Sequence, residues 1–239
     1  LPYNASGAVE VRAAGNAFLA MRARIERQIE QRTMMLSGVS HDLRTPLTRL
    51  KLGLSMLDDA EREPLERDVE DMRRLLDEFL NFASGSTEGE QERCDPLALT
   101  RSVVEDAVRM GTNVELSVEE AGRAIMLNPV AIRRALENLL SNAVRYGSLA
   151  QVSVLRTEKT VIFRVEDDGP GLPADLHGAA VKPFVRLDPS RNQDKGTGVG
   201  LGLAITNDIA RAHGGTLRFG ESARLGGLRA EVVIAASAK

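Results

Sequence analysis

A single cysteine, Cys94, stands among 239 residues, so no internal disulfide framework can form and a reducing, cytoplasmic compartment is expected. Histidine is nearly as scarce: His41, His177 and His213 are scattered without the spacing of zinc ligands. No run approaches the roughly 18 apolar residues of a membrane span, and no basic-then-apolar signal segment opens the chain. The chain begins LPYN rather than with Met, which predicts a piece of a longer protein. Charge of one sign is lacking too. Lys and Arg number 31 against 34 Asp and Glu, interspersed, and the formal charge of −3 supplies no sustained positive field for nucleic acid. Two glycine fingerprints are missing: GxxxxGK followed by Ser or Thr does not occur, and Gly196, Gly198, Gly200 and Gly202 never give GxGxxG. P-loop and dinucleotide-binding readings are therefore disfavoured. What is present, 43% hydrophobic and 27% charged residues, is enough for one large domain or two modest ones.

From 16 to 58 the apolar residues alternate spacings of three and four: Phe18, Met21, Ile25, then Leu36, Val39, Leu43, Leu47, Leu50, Leu54, Leu57. This is a heptad seam. After a connection read as DDAEREP, a second run follows the same rule through Leu65, Val69, Met72, Leu76, Phe79 and Ala83, and ends at the linker ASGSTEGEQE. Two helices joined by a short turn lie antiparallel, and a lone hairpin leaves each narrow seam half covered. A second copy completing a four-helix bundle is expected. From Cys94 onward helices and strands mix. DPLALTRSVVEDAVRM and NPVAIRRALENLLSNAVRYG are helical; VELSV, QVSVLRT, KTVIFRVED, TLRF and LRAEVVIAA read as strands; LGLAITNDIARAHGG is a further helix. Hairpin-linked strands beside separate helices predict an α+β sandwich more than a doubly wound sheet.

The first helix keeps an unusual stretch, SGVSHDLRTPLTRL. With Leu36, Leu43, Leu50 and Leu57 as one core position, His41 points away from the seam and is expected to be exposed. Asp42 can accept a hydrogen bond from one ring nitrogen, which leaves a lone pair on the other. Thr45 lies one helical turn on. Pro46 has no N–H for the carbonyl of Asp42, at a cost of about 3 kcal/mol in a helix interior, so the helix is expected to bend or loosen there. Taken alone, a helical histidine is most often a solvated or satisfied one.

The second half offers groups for nucleotide phosphates. Asn138 and Asn142 share one helix face, where amide oxygens can hold a Mg²⁺ that keeps most of its waters; they can equally be the wet side of an amphipathic helix. VEDDGPGL sets Asp167 at a strand end with Gly169 and Gly171 beyond, an acid for an adenine amino group and glycines for close backbone approach. GTGVGLGLAI runs alternating glycines into a helix, suited to wrapping phosphates. Glu137 is either an exposed helix acid or an auxiliary base.

SHDLRTPL resembles the phosphoacceptor box of bacterial sensor histidine kinases, and the asparagine helix, the DxGxG turn and the GxGLGL loop resemble, in order, the N, G1 and G2 boxes of the ATP-binding domain shared by histidine kinases, gyrase, Hsp90 and MutL. VKPFVRLD resembles the F box between them, and Arg145 and Tyr146 match the basic and aromatic pair that ends the N box. The chain is most similar to the osmosensor kinases of that family. The resemblance implies a homodimeric histidine kinase core in three parts: a partial HAMP-like helical linker over 1–33, a dimerisation and histidine phosphotransfer domain over 34–86, and a catalytic ATP-binding domain over 95–239. The implied fold is a two-helix hairpin dimerising into a four-helix bundle, followed by an α/β sandwich of the Bergerat type. It implies that His41 attacks the γ-phosphate of ATP, that Asp42 handles the ring proton, and that Thr45 positions water when phosphate is removed from the partner. Nucleotide contacts fall to Asn138, Asn142, Arg145, Tyr146, Asp167, Gly169, Gly171, Phe184 as an aromatic anchor, Arg186, Gly196, Gly198, Gly200, Gly202 and Leu203, with Mg²⁺ on Asn138 and Asn142. The implied partner is the receiver domain of an OmpR-like response regulator, with phosphoryl transfer between subunits. The implied location is the cytoplasmic portion of an inner-membrane protein whose transmembrane sensor segment lies upstream. Val181 and Val199 depart from the family pattern, where an aromatic and a threonine are usual. Two other classes compete: a nucleotide-binding dimeric scaffold without transfer, and a water-activating ATPase, which would want glutamate where Asn138 stands.

Overall fold

The computed structural model of the protein describes residues 9–56, 58–83, 89–118, 124–186 and 200–236. They fall into two compact units, 1–84 and 85–239.

The first unit is a pair of helices, α1 (Val9–Leu54) and α2 (Asp59–Ala83), packed on each other. The expected loosening at Pro46 does not interrupt α1, which is one helix of 46 residues with the proline inside it. The connection is shorter than DDAEREP. α1 ends at Leu54 and α2 starts at Asp59, with the carbonyl of Asp58 accepting from Glu61 N at 3.0 Å and Arg62 N at 2.9 Å. Asp59 and Glu61 put negative charge at the positive end of the new helix, which favours its start there despite Pro64 inside it. In α2 the pairing buries Val69 and Leu80 and half-buries Leu76, whereas Leu65, Met72 and Phe79, seven residues apart, remain 40–47% exposed. On α1, Leu47 and Leu54 are half-buried, and Leu43 and Leu50 stay exposed. One hairpin thus covers one half of each seam and leaves the other half open. No described helix is long and apolar enough to cross a membrane.

The second unit follows the order β1 (Glu92–Cys94), α3 (Pro96–Arg109), β2 (Val114–Val118), β3 (Ile125–Leu127), α4 (Pro129–Tyr146), β4 (Ala150–Arg156), β5 (Thr160–Asp167), a single helical turn and α5 (His177–Ala180), α6 (Gly202–Ala212), β6 (Thr216–Glu221) and β7 (Leu228–Ala235). Five strands form one mixed sheet ordered β2-β4-β5-β7-β6. Only β2 and β4 are parallel, because α4 lies in the crossover between them; the other neighbours are antiparallel. Helices α3, α4 and α6 pack with this sheet as the second layer of an α/β sandwich. Alternation sends Val152 and Val154, Val161, Phe163 and Val165, and Val232 and Ile234 into the core against Ile132, Leu136, Leu139 and Ile209. Each such side chain contributes about 1.5–3 kcal/mol by leaving water. The strands β1 and β3, three residues each, were not legible as strands; they pair antiparallel, and β1 lies upstream of residue 95.

Side-chain caps begin helices α3 and α4. Asp95 accepts from Leu97 N at 2.9 Å to start α3. Asn128, only 5% exposed, does more: its Oδ1 accepts from Ala131 N at 3.1 Å to cap α4, and its Nδ2 donates to Gly89 O at 2.8 Å. Its backbone N donates to His213 Nε2 at 3.0 Å, so the His213 proton sits on Nδ1, 2.8 Å from Ile209 O. The start of α4, the entry of the chain into the unit and the end of α6 are joined by one buried asparagine. Asn128→Ala is expected to lower the stability of this unit by about 2–3 kcal/mol, against about 1 kcal/mol for Asp95→Ala. Urea unfolding of the two variants checks this, and equal losses would contradict the joining role.

Candidate functional site

The antiparallel ladder ends where β5 delivers Asp167 opposite Ala150 of β4. The Asp167 side chain is buried, at 5% exposure, and its Oδ1 accepts from two backbone donors, Gly169 N at 2.9 Å and Leu228 N at 3.0 Å. No described residue donates to Oδ2. Among the described residues the one fully buried side-chain polar atom without a hydrogen bond is Arg229 Nε, so Oδ2 lies within reach of solvent or a ligand. Burial pushes the Asp167 carboxyl above its ordinary range, opposed by the Leu228 and Gly169 amides and aided by the neighbouring Asp168 charge. A half-satisfied carboxylate of this kind can accept one more hydrogen bond from an amino group with high directionality.

Glycines make room for it. A Cβ on Gly227 would stand 2.4 Å from Asp167 O and 2.5 Å from Oδ1, and one on Gly169 would stand 2.9 Å from Tyr146 O. Gly171 takes a left-handed φ of 73°. The second acid is exposed and serves a different purpose. Asp168 Oδ1 accepts from Ser148 N at 2.6 Å and Leu149 N at 2.9 Å, and Oδ2 pairs with the Ser148 hydroxyl. These donors, the Ser148 hydroxyl foremost, hold its carboxyl down at about 2.

On α4, Asn138 is half-buried and its Nδ2 donates to Gly202 O at 3.3 Å, which turns Oδ1 away as a remaining acceptor. Asn142, also half-buried, makes no hydrogen bond to a described residue. Arg145 is half-buried and Tyr146 46% exposed at the end of the helix. Gly202 opens α6, with half-buried Leu203 next, and Thr206 Oγ1 donates to Gly202 O at 2.9 Å. Gly200, at φ 77°, is packed against the 184–185 backbone: an added Cβ would meet Val185 O at 2.7 Å, and Gly200 O accepts from Phe184 N at 3.1 Å. Phe184 is 54% exposed at φ 63°, and Arg186 is exposed. Gly196 and Gly198, with Val199, lie outside the described residues. Glu137 is an exposed helix acid, 3.8 Å from Arg133 Nη1. Among the described residues no group of three His, Cys, Asp or Glu could hold a metal ion. An amide pair fits a magnesium ion that takes its other ligands from water and phosphate.

In the first unit the SHDLRTPL stretch lies within α1. Asp42, Thr45 and Pro46 are exposed; the His41 side chain lies outside the described ones. Sequence reasoning passed over Asp168, Ser148, Gly227 and Leu228. The doubled acid of VEDDGPGL was the available signal for the first; the others are brought in by the pairing of β5 with β4 and β7.

Comparison with known proteins gives the same two parts. Residues 31–88 match the His Kinase A (phospho-acceptor) domain, and 127–237 match the histidine kinase-, DNA gyrase B- and HSP90-like ATPase family. The chain is 36% identical over 228 residues to the sensor histidine kinase GtrS of Pseudomonas aeruginosa, covering 93% of this chain and 46% of GtrS. It is 37% identical over 224 residues to the sensor protein RstB of Escherichia coli, covering 90% and 51%. The chain thus spans about half the length of the curated relatives it matches. The crystal structure of full-length ShkA in complex with AMPPNP is similar at a TM-score of 0.67 and 25% identity, over 86% of this chain and 47% of that one.

The two acids titrate with opposite consequences for stability. Asp168, depressed from 3.8 to about 2, contributes stability that is present above 3.8 and lost as pH falls toward 2. Asp167, raised by burial, contributes stability that is full below its ordinary value and lost as pH rises through the folded one. Asp168→Asn is therefore expected to flatten the acid limb of the stability profile between 3.8 and about 2, measured by urea unfolding at stepped pH. A limb as steep as that of the unaltered protein would contradict the assignment.

Proposed function

Because the chain belongs to the sensor histidine kinases, we propose that it is the catalytic core of a two-component kinase, which binds ATP in the second unit and transfers its γ-phosphoryl group to His41. The observation that carries the nucleotide half is Asp167, dehydrated, fixed through Oδ1 and open at Oδ2, an arrangement suited to the exocyclic amino group of adenine. Gly169, Gly171 and Gly227 let the base approach the backbone there. Asn138, Asn142, Arg145, Tyr146, Arg186, Leu203 and the glycines at 196, 198, 200 and 202 take the phosphates and ribose, with Phe184 beside them. Asn138 and Asn142 would hold Mg²⁺, which when bound neutralises phosphate charge.

Transfer needs positioning more than covalent help from the protein. A neutral imidazole carries a ring-nitrogen lone pair that can attack phosphorus directly. As the N–P bond forms and the P–O bond to ADP breaks, Asp42 takes the proton from the other ring nitrogen. The phosphoryl group then passes to an aspartate of a response-regulator receiver domain of the OmpR-like class. Thr45, exposed one turn from His41 on α1, positions the water that later removes it. The open halves of the two heptad seams favour a second copy of the chain, giving a homodimer with a four-helix bundle and transfer between its subunits. We place this core on the cytoplasmic side of the inner membrane, following a sensor segment.

Incubation with labelled ATP and Mg²⁺ is expected to give an acid-labile, base-stable phosphoprotein. His41→Gln should lose the label and keep ATP binding; Asn142→Ala should lose both. Nucleotide binding without label in the unaltered protein would favour a scaffold instead. Mixed dimers of the two variants should regain label, and their failure would exclude transfer between subunits. Thr45→Ala should retain autophosphorylation but lose regulator dephosphorylation, read as the decay of phospho-regulator in the presence of ADP; an unchanged decay would remove Thr45 from that step.

A further inference from the structure

Asp168 stands in an electrostatically poor place. It follows the last residue of β5, beside Asp167, whose own carboxyl its charge disfavours, and it reaches the turn after the carbonyl end of α4, where a negative charge is also unfavourable. It is exposed, so no core depends on it. Three donors from residues 19 and 20 positions away nevertheless converge on it: Ser148 N at 2.6 Å, Leu149 N at 2.9 Å and the Ser148 hydroxyl.

The surroundings are shaped to let the carboxylate in. A Cβ on Gly147, the residue that ends α4, would stand 2.4 Å from Asp168 Oδ1 and 3.2 Å from Gly169 N. A Cβ on Gly169 would stand 2.9 Å from Tyr146 O. The turn at 147–149 and the turn at 167–169 are therefore in van der Waals contact, with Asp168 as the hydrogen-bonded link between them. One turn is continuous with the helix that carries Asn142 and Tyr146. The other donates Gly169 N to Asp167 Oδ1 and so sets the direction of Oδ2.

We propose that Asp168 is a positioning residue for nucleobase selection: by tying the end of α4 to the end of β5 it fixes where the free oxygen of Asp167 meets the base. This rests on the reading of Asp167 as the adenine contact. Adenine offers an amino hydrogen to that oxygen, whereas guanine presents a carbonyl oxygen at the same ring position and is repelled. An Oδ2 that wanders loses both the attraction and the repulsion. Asp168 touches neither base nor phosphate, so its removal alters the ratio of the two nucleotides rather than the chemistry of transfer.

The test measures ATP and GTP affinities of the full chain with Mg²⁺ by isothermal titration, with thermal unfolding of the same samples. The unaltered protein is expected to prefer ATP. Asp168→Ala should weaken ATP by about tenfold, the size expected for the loss of one well-directed hydrogen bond to a charged group, with GTP held or tightened as the repulsion is relieved. Asp168→Asn, which keeps an acceptor for Ser148 N and Leu149 N, should recover most of the preference. Ser148→Ala removes only the hydroxyl and should give a smaller fall in the same ratio, which keeps the test alive if the alanine variant does not fold. Unchanged preference in Asp168→Ala and Ser148→Ala, or equal loss of ATP and GTP, would overturn the positioning role while leaving ATP binding intact. Absence of ATP binding in the unaltered protein would overturn the Asp167 reading itself, and this proposal with it.

Discussion

A carboxylate withdrawn from water needs donors in place of the water it lost, and at the end of β5 those donors are the main-chain amides of Gly169 and Leu228. Much of the second unit's architecture is what it takes to bring them there. Leu228 begins β7, which pairs along nearly the whole of β5, while Gly169 follows in the tight turn after the acid. Gly227 must lack a side chain because its Cβ would collide with both the carbonyl and the carboxylate of Asp167. The sheet order, with β5 between β4 and β7, is therefore also the condition for one oxygen being satisfied and the other left open.

The first unit is governed by a different constraint, the width of an apolar stripe. Each helix of the hairpin carries more hydrophobic surface than its partner can cover. Val69 and Leu80 go inside, and Leu65, Met72 and Phe79 do not. A stripe repeating every seven residues on both helices is the geometry of a left-handed bundle, where a/d side chains want neighbours from more than one helix. The stretch around His41 is part of α1, and Pro46 removes one main-chain hydrogen bond from the helix five residues on.

Long-period features were legible in the sequence and short or long-range ones were not. The heptads, the five strands of the main sheet and helices α3, α4 and α6 announce themselves through periodicity sustained over several turns or alternations. The start of α2 was misplaced because the charged run DDAEREP, closed by Pro64, read as a turn; the carbonyl of Asp58 and two early acids set it at Asp59, six residues before Leu65. Strands β1 and β3 are three residues each, too short for a pattern, and exist because they pair with each other. Asp167 could be picked out as an acid before glycines. Asp168 carries the same letter, and only the fold shows that its donors come from the far end of another helix. The left-handed backbone of Phe184 is likewise held by a residue far along the chain, Gly200, whose carbonyl accepts from Phe184 N, and no local pattern announces it.

The amides that hold Asp167 Oδ1 belong to the peptide backbone, so no substitution at residues 169 and 228 other than proline can delete them, and a Cβ at Gly169 would already crowd Tyr146 O. An inhibitor anchored on the opposite oxygen would therefore meet a contact with few routes to resistance. Escape would have to alter the acid itself or crowd its glycine neighbours, and under the proposed adenine contact either change would weaken the natural nucleotide as well.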